Sequence, residues 1–414
     1  MTKEKSTVPR LRFPGFTDAW KQRKLGEVSK RVTRRNKELI SSLPLTISAQ
    51  HGLVDQEEFF NKQVASKDVS SYYLIKKGEF AYNKSYSNGY PWGAIKRLDR
   101  YEMGVLSTLY IVFKPTSLIC SDYLVSYYDT VNWYKEVSMI AAEGARNHGL
   151  LNIAPNDFFK TRLFIPTLPE QEAIGSFFSD LDQLITLHQR KLDDVKELKK
   201  ALLQKMFPKG NGNDFPELRF PEFTDAWKQR KLGEVAEKIS QKNLDRQYVE
   251  TFTNSAEFGI ISQRDFFEKN ISSLDNISGY YIVSPDDFVY NPRISNLAPV
   301  GPIKRNKLGR VGVMSPLYTI FRFSDIHLDF VEKYFDTTIW HRYMELNGNS
   351  GARSDRFAIK DSVFKGLPIP LPTHPEQEAI GSFFSDLDQL ITLHQRQLDH
   401  LKLLKKALLQ QMFI

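Results

Sequence analysis

Two stretches of the chain show the seven-residue spacing of apolar residues that is typical of a coiled-coil helix. In the first, a series with one residue every seven positions runs from Ile174 to Leu202, and a second series follows four residues later. The same spacing returns from Ile380 to Leu408. One such helix cannot bury its own apolar stripe, so we expect the two to pack together as an antiparallel coiled coil. The predicted helices cover residues 169–207 and 375–413.

Each predicted helix is preceded by the sequence of a capping box. Thr167 and Glu170 have the T-x-x-E spacing, and Thr373 and Glu376 repeat it. A proline follows in the first turn of each helix, where its missing N–H costs nothing. The helices are therefore expected to begin at these positions.

The segments between the helices carry Tyr, Phe, Ile and Val in short runs that Gly and Pro interrupt, for example at 105–113 and 311–323. Such runs predict mixed α/β domains with several short strands. The predicted fold is therefore mixed α/β, with two globular domains separated by two long helices. We divide the chain into a first variable domain, a first helix, a second variable domain and a second helix, at 1–168, 169–207, 208–374 and 375–414.

The chain is a tandem repeat. Residues 11–28 recur at 218–235 with one change, and residues 169–207 recur at 375–413 with five changes in 39 positions. The intervening segments differ and keep only a faint common frame. We interpret the near-identical blocks as binding one kind of partner twice, and the variable domains as binding two different targets. The alternative is a recent duplication after which the variable segments diverged without a functional purpose. Antiparallel packing of the repeated helices would create a pseudo-twofold axis.

Charge and composition favour a polyanionic partner. Lys and Arg number 57 against 49 Asp and Glu, which gives a formal charge of +8 and a pI near 9.1, although excess lysine also promotes solubility. The lone Cys120 cannot form an internal disulfide, and eight scattered His give no zinc-ligand spacing. No signal peptide or membrane span is evident, so we expect a cytoplasmic protein.

The sequence lacks the motifs of two nucleic-acid enzymes. An adenine methylase needs an [N/D]-P-P-[Y/F] loop, but the only candidate step, Asn291-Pro292, continues with Arg293. A metal-dependent nuclease of the P-D…[D/E]-x-K type needs further ligands after Pro285-Asp286, and none follow. No glycine-rich phosphate loop is present either. We therefore predict no catalytic or metal-binding residues in this chain.

These features together resemble the specificity subunit of type I restriction-modification systems. The motifs that carry the resemblance are P-E-Q-x-x-I at the helix heads (169–174 and 375–380), L-K-K-A-L-L-Q in their tails (198–204 and 404–410), and a leading segment with Phe, Trp and L-G-E-V (16–28 and 223–235).

The resemblance implies a non-catalytic subunit that reads double-stranded DNA. It implies two target-recognition domains, each reading one half of a bipartite sequence, and two modification subunits that methylate adenine. S-adenosylmethionine would bind to those subunits, with no cofactor in this chain, and motor-nuclease subunits can join the complex. A 39-residue helix would be roughly 58 Å long, against about 34 Å for one turn of DNA, so the helices could set the gap. A self-contained diverged restriction or modification enzyme, or a coiled-coil scaffold without nucleic acid, are the alternatives.

DNA affinity should come from Lys and Arg on phosphates, and specificity from side chains that reach base edges. Residues at positions that the two repeats share are expected to bind the DNA backbone. They are Tyr82, Asn83, Lys96, Arg97, Arg146, Asn291, Lys304, Arg305 and Arg353. Their differing neighbours are expected to read bases: Lys84, Asn147, Arg293 and Ser354. The alternative for each is a solvated surface residue.

Four residues are predicted to bind the modification subunits. Trp20 and Trp227 in the leading segments could anchor an interface, although core packing is equally compatible with the sequence. Gln171 and Gln377 are expected on exposed faces of the helix heads.

Overall fold

The structure is a computed structural model, and it describes residues 7–48, 51–62, 64–86, 89–141, 149, 151–209, 214–267, 276–350 and 355–414. The chain divides into two compact units. The first unit comprises Met1–Gln189 and Arg396–Ile414, and the second comprises Arg190–Gln395. Each unit therefore contains one variable domain, the head of the helix that follows it, and the tail of the other long helix.

The first repeat contains short strands and helices and ends in a long helix. Its strands are β1 (Lys21–Lys24), β2 (Ser29–Val32), β3 (Leu45–Ser48), β4 (Gly52–Asp55), β5 (Tyr73–Lys76), β6 (Phe80–Asn83), β7 (Ala94–Arg97), β8 (Met103–Leu106), β9 (Ile111–Pro115) and β10 (Arg162–Ile165). Its helices are α1 (Leu25–Val28), α2 (Gln56–Phe60), α3 (Ser121–Tyr128), α4 (Tyr134–Ile140), α5 (Pro155–Phe158) and the long α6 (Leu168–Lys205).

The second repeat follows the same order with a few additions. Its strands are β11 (Lys228–Lys231), β12 (Ala236–Ile239), β13 (Phe252–Ser255), β14 (Gly259–Ser262), β15 (Tyr281–Val283), β16 (Phe288–Tyr290), β17 (Ile303–Arg305), β18 (Gly312–Met314), β19 (Thr319–Phe323), β20 (Asn349–Ser350), β21 (Phe357–Ala358) and β22 (Pro368–Leu371). Its helices are α7 (Leu232–Val235), α8 (Gln263–Phe267), the 3₁₀ turn Ile277–Gly279, α9 (Leu328–Phe335), α10 (His341–Asn347), α11 (Asp361–Phe364) and the long α12 (His374–Met412).

A four-stranded antiparallel sheet forms the centre of each variable domain. The strand order is β2-β9-β6-β7 in the first unit and β12-β19-β16-β17 in the second. Two-stranded antiparallel ribbons surround each sheet, namely β1-β10, β3-β4 and β5-β8 in the first unit and β11-β22, β13-β14, β15-β18 and β20-β21 in the second. The prediction of mixed α/β domains with several short strands is confirmed.

Aromatic pairs fill the core between the sheet and its helices. Phe80 stacks on Phe113 across adjacent strands with ring centroids 5.3 Å apart, and Tyr82 stacks on Phe158 at 5.0 Å. Stacked rings of this kind bury large apolar areas and constrain register. The second unit repeats both pairs, as Phe288–Phe321 at 6.0 Å and Tyr290–Phe364 at 5.0 Å.

The two long helices pack antiparallel, which each unit shows by itself. In the first unit, the head of α6 shares a core with the tail of α12, and the rings of Phe178 and Phe413 lie 6.1 Å apart. In the second unit, Phe207, just after the end of α6, shares a core with Ile380 and Phe384 in the head of α12. The predicted fold class is confirmed in these respects, although α6 ends at Lys205 and not at 207.

A glycine near the head of each long helix permits close packing against the variable domain. A Cβ at Gly175 would lie 2.6 Å from the backbone nitrogen of Tyr123, and one at Gly381 would lie 2.7 Å from Nδ1 of His327. Because only glycine lacks this atom, α3 and α9 can approach the long helices at these points.

The capping-box acid has a different role from the one predicted. The carboxylate of Glu170 is fully buried and accepts hydrogen bonds from Nε and Nη2 of Arg12, at 2.6 and 2.7 Å. It also accepts from Nε1 of Trp20 at 3.4 Å. Glu376 binds Arg219 and Trp227 in the same way, at 2.6, 2.7 and 3.3 Å. The acid therefore ties the leading segment to the helix head.

Candidate nucleic-acid interface

A cluster of ion pairs joins the first variable domain to both long helices. Asp129, at the end of α3, accepts from Nζ of Lys96 and of Lys405, each at 2.7 Å. Lys405 in the tail of α12 also reaches Asp182 in the head of α6, at 2.7 Å. One ammonium group thus bridges three elements of the first unit.

The cluster lowers the pKa of its central carboxyl. Burial alone would raise the pKa of Asp129, but the positive charges of Lys96 and Lys405 outweigh it and lower this pKa below its usual value. The pKa of Lys405 is raised for the complementary reason, because the attraction of Asp129 and Asp182 exceeds the effect of burial. Asp129 and Lys405 are therefore both charged at neutral pH.

The second unit builds the same cluster with an additional lysine. Lys304 binds Asp336 at 2.8 Å, and Lys199 in the tail of α6 binds Asp388 in the head of α12 at 2.5 Å. Lys333 is almost fully buried and binds Asp388 at 2.6 Å, where the first unit has Ser126. Although burial opposes it, the pKa of Lys333 is raised by Asp336, Glu332 and Asp388.

Lys96, Arg97, Lys304 and Arg305, which were expected to grip phosphates, have partners inside the chain. Lys96 and Lys304 belong to the two clusters described above. Arg97 binds Asp99 at 2.6 Å and Asp122 at 2.7 Å. Arg305 binds Asp286, Asp329 and Glu332, at 2.5, 2.6 and 3.5 Å. In this structure these cations fasten the central sheet to α3 and α9, and contact with DNA stays a prediction.

Tyr82 is placed in the core. Its side chain is 0% exposed, and its hydroxyl donates to the carbonyl of Trp92 at 2.8 Å. Burial raises its pKa well beyond the ordinary value of a tyrosine. The shared aromatic position is thus explained by core packing in this structure.

The remaining described candidates in the first unit are Asn83, which ends β6, and Lys84, which follows it. Both lie near the segment that precedes α5. The backbone N–H of Leu151 donates to the carbonyl of Lys84 at 2.9 Å, and burial lowers the pKa of the half-buried Lys84 ammonium group. The Asn83 side chain accepts from the N–H of Ser85 at 3.0 Å. In this unit Arg146 and Asn147 lie outside the described residues.

The corresponding place in the second unit exposes an arginine. The Asn291 side chain donates to the carbonyl of Asn254 at 2.9 Å and accepts from the N–H of Arg293 at 3.0 Å. The exposed Arg293 guanidinium lies 3.4 Å from the Asp355 carboxylate, and its backbone pairs with Arg356. Arg353 and Ser354 lie outside the described residues.

A cleft of about 880 Å³ lies beside Arg293 in the second unit, and the sequence interpretation missed it. Its lining includes Pro292 and the polar residues Thr319, Asn347, Asn349, Lys360 and Asp361. Asparagine side chains suit base edges because one amide both donates and accepts. The difference between the two repeats could have revealed these residues. Asn347 and Asn349 stand where the first repeat has Ile140 and Ala142, just before the shared Gly-Ala-Arg.

The residues predicted to bind modification subunits are buried. The expectation that Gln171 and Gln377 lie on exposed helix faces is wrong, because they are only 2% and 5% exposed. The Gln171 amide donates to the carbonyl of Pro166 and accepts from the N–H of Cys120, at 3.0 and 2.9 Å. Gln377 makes the same pair of bonds, to Pro372 and His327.

Trp20 and Trp227 are only 3% and 2% exposed. Each packs against a phenylalanine at the end of a long helix, Trp20 with Phe413 at 6.1 Å and Trp227 with Phe207 at 6.0 Å. Core packing, the alternative that the sequence left open, therefore accounts for both tryptophans.

The long helices instead expose repeated leucines. Leu184 and Leu187 lie one turn apart on α6, and Leu390 and Leu393 occupy the matching positions on α12. Their exposed fractions are 40, 47, 38 and 51%. The two helices therefore offer the same small apolar contact surface at matching positions.

Two negative observations apply to the described part of the chain. No group of three or more His, Cys, Asp and Glu side chains there is arranged to hold a metal ion. No helix among those residues is both long and apolar enough to cross a membrane.

Comparison with known proteins identifies the class to which these features correspond. The family model described as "Type I restriction modification DNA specificity domain" matches residues 224–403. Two relatives come from Methanocaldococcus jannaschii: the type I restriction enzyme MjaVIII specificity subunit is 20% identical over 74% of this chain and 72% of its own length. The putative type I restriction enzyme MjaX specificity subunit is 25% identical over 69% of this chain and 65% of its own length.

A solved structure shares the fold. The S subunit of a type I restriction-modification system from M. genitalium matches with a TM-score of 0.57 and 13% identity, over 98% of this chain and 99% of that one. Residues 224–403 thus match a type I DNA specificity domain, and the predicted resemblance of the chain to type I specificity subunits is confirmed. Both relatives are named as specificity subunits, which agrees with the predicted recognition role of this chain.

Proposed function

We propose that this chain selects a bipartite DNA sequence for a type I restriction-modification complex in the cytoplasm, with each variable domain reading one half. The observation that carries the proposal is the distribution of differences between the repeats. The stacked aromatic pairs of the core and the Lys96–Asp129 ion pair recur in the second unit, whereas Lys84 stands opposite Pro292 and the asparagines of the second-unit cleft have no counterparts. Two domains with one fold and different surfaces suit two different half-sites.

Base reading in the second domain is assigned to Arg293 and the neighbouring cleft. Arg293 is exposed, and arginine can bind the O6 and N7 atoms of guanine with two hydrogen bonds. In the first domain the corresponding role falls to Lys84. Arg146, Asn147, Arg353 and Ser354 stay candidates beside them, and Asn83 and Asn291 position the backbone of these loops.

The helices set the gap between half-sites. The first variable domain is fastened to the long helices of its unit by the Asp129–Lys405 ion pair and the second by the Lys333–Asp388 ion pair, so the orientation of each domain follows that of the helices. At about 1.5 Å per residue, the 38 and 39 residues of α6 and α12 span roughly 57–58 Å, which exceeds one turn of DNA.

Two modification subunits dock on the exposed leucine pairs, one pair on each helix. An amphipathic helix of the partner would cover Leu184 and Leu187, and a second copy would cover Leu390 and Leu393. The near-identity of the two helix blocks supports one partner met twice. Adenine methylation with S-adenosylmethionine would then occur in those partners, and motor-nuclease subunits could join the assembly.

The function is tested by methylome sequencing of cells with and without the gene. We expect methylated adenines in one split sequence only when the gene is present, and no methylation of that sequence by the purified chain alone. Methylation by the purified chain would indicate an enzyme. An unchanged methylome, together with DNA binding that does not weaken with salt, would leave only the scaffold alternative.

Docking is tested by replacing each leucine pair with asparagine. Leu184→Asn/Leu187→Asn and Leu390→Asn/Leu393→Asn should each remove one of two bound modification subunits, measured by light scattering of the complex. The matched control is Glu172→Asn, which changes an exposed polar position on α6. Unaltered stoichiometry in both leucine variants would contradict the docking surface.

A further inference from the structure

A pocket of about 380 Å³ lies in the first unit, beside the ion-pair cluster. The start of β7, the connection between α3 and α4, and the tail of α12 form its walls. Its volume falls at the lower end of the range of sites for small organic ligands. The residues that define its chemistry are Lys96, Lys402, Lys405 and Lys406, together with Tyr90, Trp133 and Tyr134.

The lining has an excess of positive charge. It contains four lysines and a single carboxylate, Asp129. Lys96 and Lys405 are paired with Asp129 and Asp182, as described above. Lys402 and Lys406 are exposed, lie one turn apart on α12, and make no ion pair with any described residue. Two ammonium groups on one side of the pocket therefore stay available for an anion.

The other side of the pocket is aromatic. Tyr90 and Tyr134 are half-buried, and the rings of Trp133 and Tyr134 lie 4.7 Å apart. Burial raises the pKa of the Tyr134 phenol, and the nearby Tyr90 adds to the effect. Trp133 is held in place, because its Nε1 donates to the carbonyl of Tyr128 at 3.1 Å. Flat, partly covered rings of this kind can stack on a planar heterocycle.

We propose that this pocket binds a nucleoside phosphate, with the base against Tyr90 and Tyr134 and the phosphates on Lys402 and Lys406. Lysine ammonium groups bind phosphate oxygens through charge-assisted hydrogen bonds. Stacking tolerates any base, so the pocket recognises the class of ligand and not one base. The ligand is a free nucleotide or a nucleotide of an unpaired DNA strand, and both present the same chemistry.

The second unit supplies a natural control. Lys196, Lys199 and Lys200 of α6 stand at the positions of Lys402, Lys405 and Lys406. The aromatic wall recurs only in part: Trp340 matches Trp133, but Ala298 and His341 replace Tyr90 and Tyr134. The lysines are thus common to both units, whereas the combination with two tyrosines is found in the first. Binding of a nucleoside phosphate therefore belongs to the first unit.

Calorimetry of the full chain with ATP, tripolyphosphate and adenosine tests the proposal. We expect one ATP to bind per chain. The double substitution Lys402→Gln/Lys406→Gln should lower the affinity for ATP about 10-fold. The matched variant Lys196→Gln/Lys200→Gln should change the affinity by less than about 2-fold. Tyr90→Ala/Tyr134→His introduces the residues of the second unit. It should lower the affinity for ATP about 10-fold and leave the affinity for tripolyphosphate unchanged. Thermal unfolding checks that every variant folds.

Three results would overturn the proposal. They are absence of ATP binding at millimolar concentration, equal loss of affinity in the two lysine pairs, and tripolyphosphate binding as tight as that of ATP. Competition against a fluorescent ATP analogue then identifies the source of the ligand. Displacement by a single-stranded oligonucleotide, but not by the duplex, assigns the pocket to unpaired DNA. Displacement by neither assigns it to a free nucleotide.

Discussion

At the scale of single residues, partly buried charged side chains hold the elements of each unit together. Lys405 is mostly buried and satisfies Asp129 and Asp182 at once, so it connects one variable domain to two helices. A buried cation of this kind adds little net stability, but its removal leaves carboxylates without their partner. Its loss should therefore cost more than the loss of an exposed lysine.

We expect Lys405→Met to lower the free energy of unfolding by about 2 kcal/mol, because Asp129 keeps its ion pair with Lys96 while Asp182 loses its ion pair with Lys405. The control Lys200→Met, at an exposed position of α6, should change it by less than about 0.5 kcal/mol. Urea unfolding of the full chain measures both. Equal effects of the two substitutions would show that the cluster contributes nothing specific.

His341 should make the stability of the protein depend on pH. Burial lowers its pKa to about 4, against about 6.5 in the unfolded chain. Between these values the unfolded chain binds a proton that the folded protein does not. The free energy of unfolding should therefore fall by about 1–2 kcal/mol as the pH drops from 6.5 to 4, after allowance for partial exposure.

The variant His341→Tyr, which installs the residue of the first repeat, isolates this effect. Its unfolding free energy should decline less over the same pH range than that of the parent chain, in urea titrations at several pH values. Parallel pH profiles for the two proteins would refute a neutral, buried His341.

At the scale of elements, close packing of the helix heads depends on glycine. Gly175 lies within a helix, where alanine would ordinarily be about 1 kcal/mol better. Here the added methyl group would meet the backbone of Tyr123 at 2.6 Å and Cβ of Asp122 at 2.8 Å. The steric cost should exceed the gain in helix propensity.

We expect Gly175→Ala to destabilise the protein by about 1–3 kcal/mol, since α3 must move away from α6. Ser176→Ala, at the exposed neighbouring position, should be neutral or slightly stabilising. Thermal unfolding distinguishes the two. A stabilised Gly175→Ala variant would mean that α3 does not pack against the helix as closely as described.

The two long helices could be predicted because the seven-residue spacing of their apolar residues is a local pattern. Their antiparallel packing was predicted from the repetition of the helix in the chain. The roles of the P-E-Q residues could not be predicted. Glu170 and Gln171 are polar and sit at a helix start, which favours an exposed position, yet both are buried by tertiary hydrogen bonds. Partners such as Arg12 and Cys120 lie 158 and 51 residues away in the chain, so no local pattern reveals them.

The candidate DNA-binding residues were limited in a similar way. Comparison of the repeats found the shared Lys-Arg pair, but it could not separate residues that hold the fold from residues that meet a ligand. Lys96 and Arg97 have carboxylate partners inside the unit, whereas Arg293 is exposed at a loop. Divergence between the repeats points instead to Arg293 and to the cleft beside it, which is lined by asparagines that only the second repeat has, and base contact by these residues stays a prediction.

At the scale of the whole molecule, each variable domain should be exchangeable. We expect replacement of residues 29–168 by the corresponding segment of a relative to change one half of the methylated sequence and preserve the other half and the gap. Methylome sequencing measures the outcome. Replacement of 236–374 is the matched experiment and should change the opposite half. A change in both halves after either exchange would contradict independent reading by the two domains.

Neither repeat is complete on its own, because each compact unit takes the tail of its second long helix from the other repeat. The two helix blocks differ at only five of 39 positions, so a tail from another copy could fill the same place. A truncated polypeptide ending near residue 207 would thus have every part needed to assemble as a symmetric homodimer. Such a dimer would carry two identical reading domains, and its preferred target would become a palindrome.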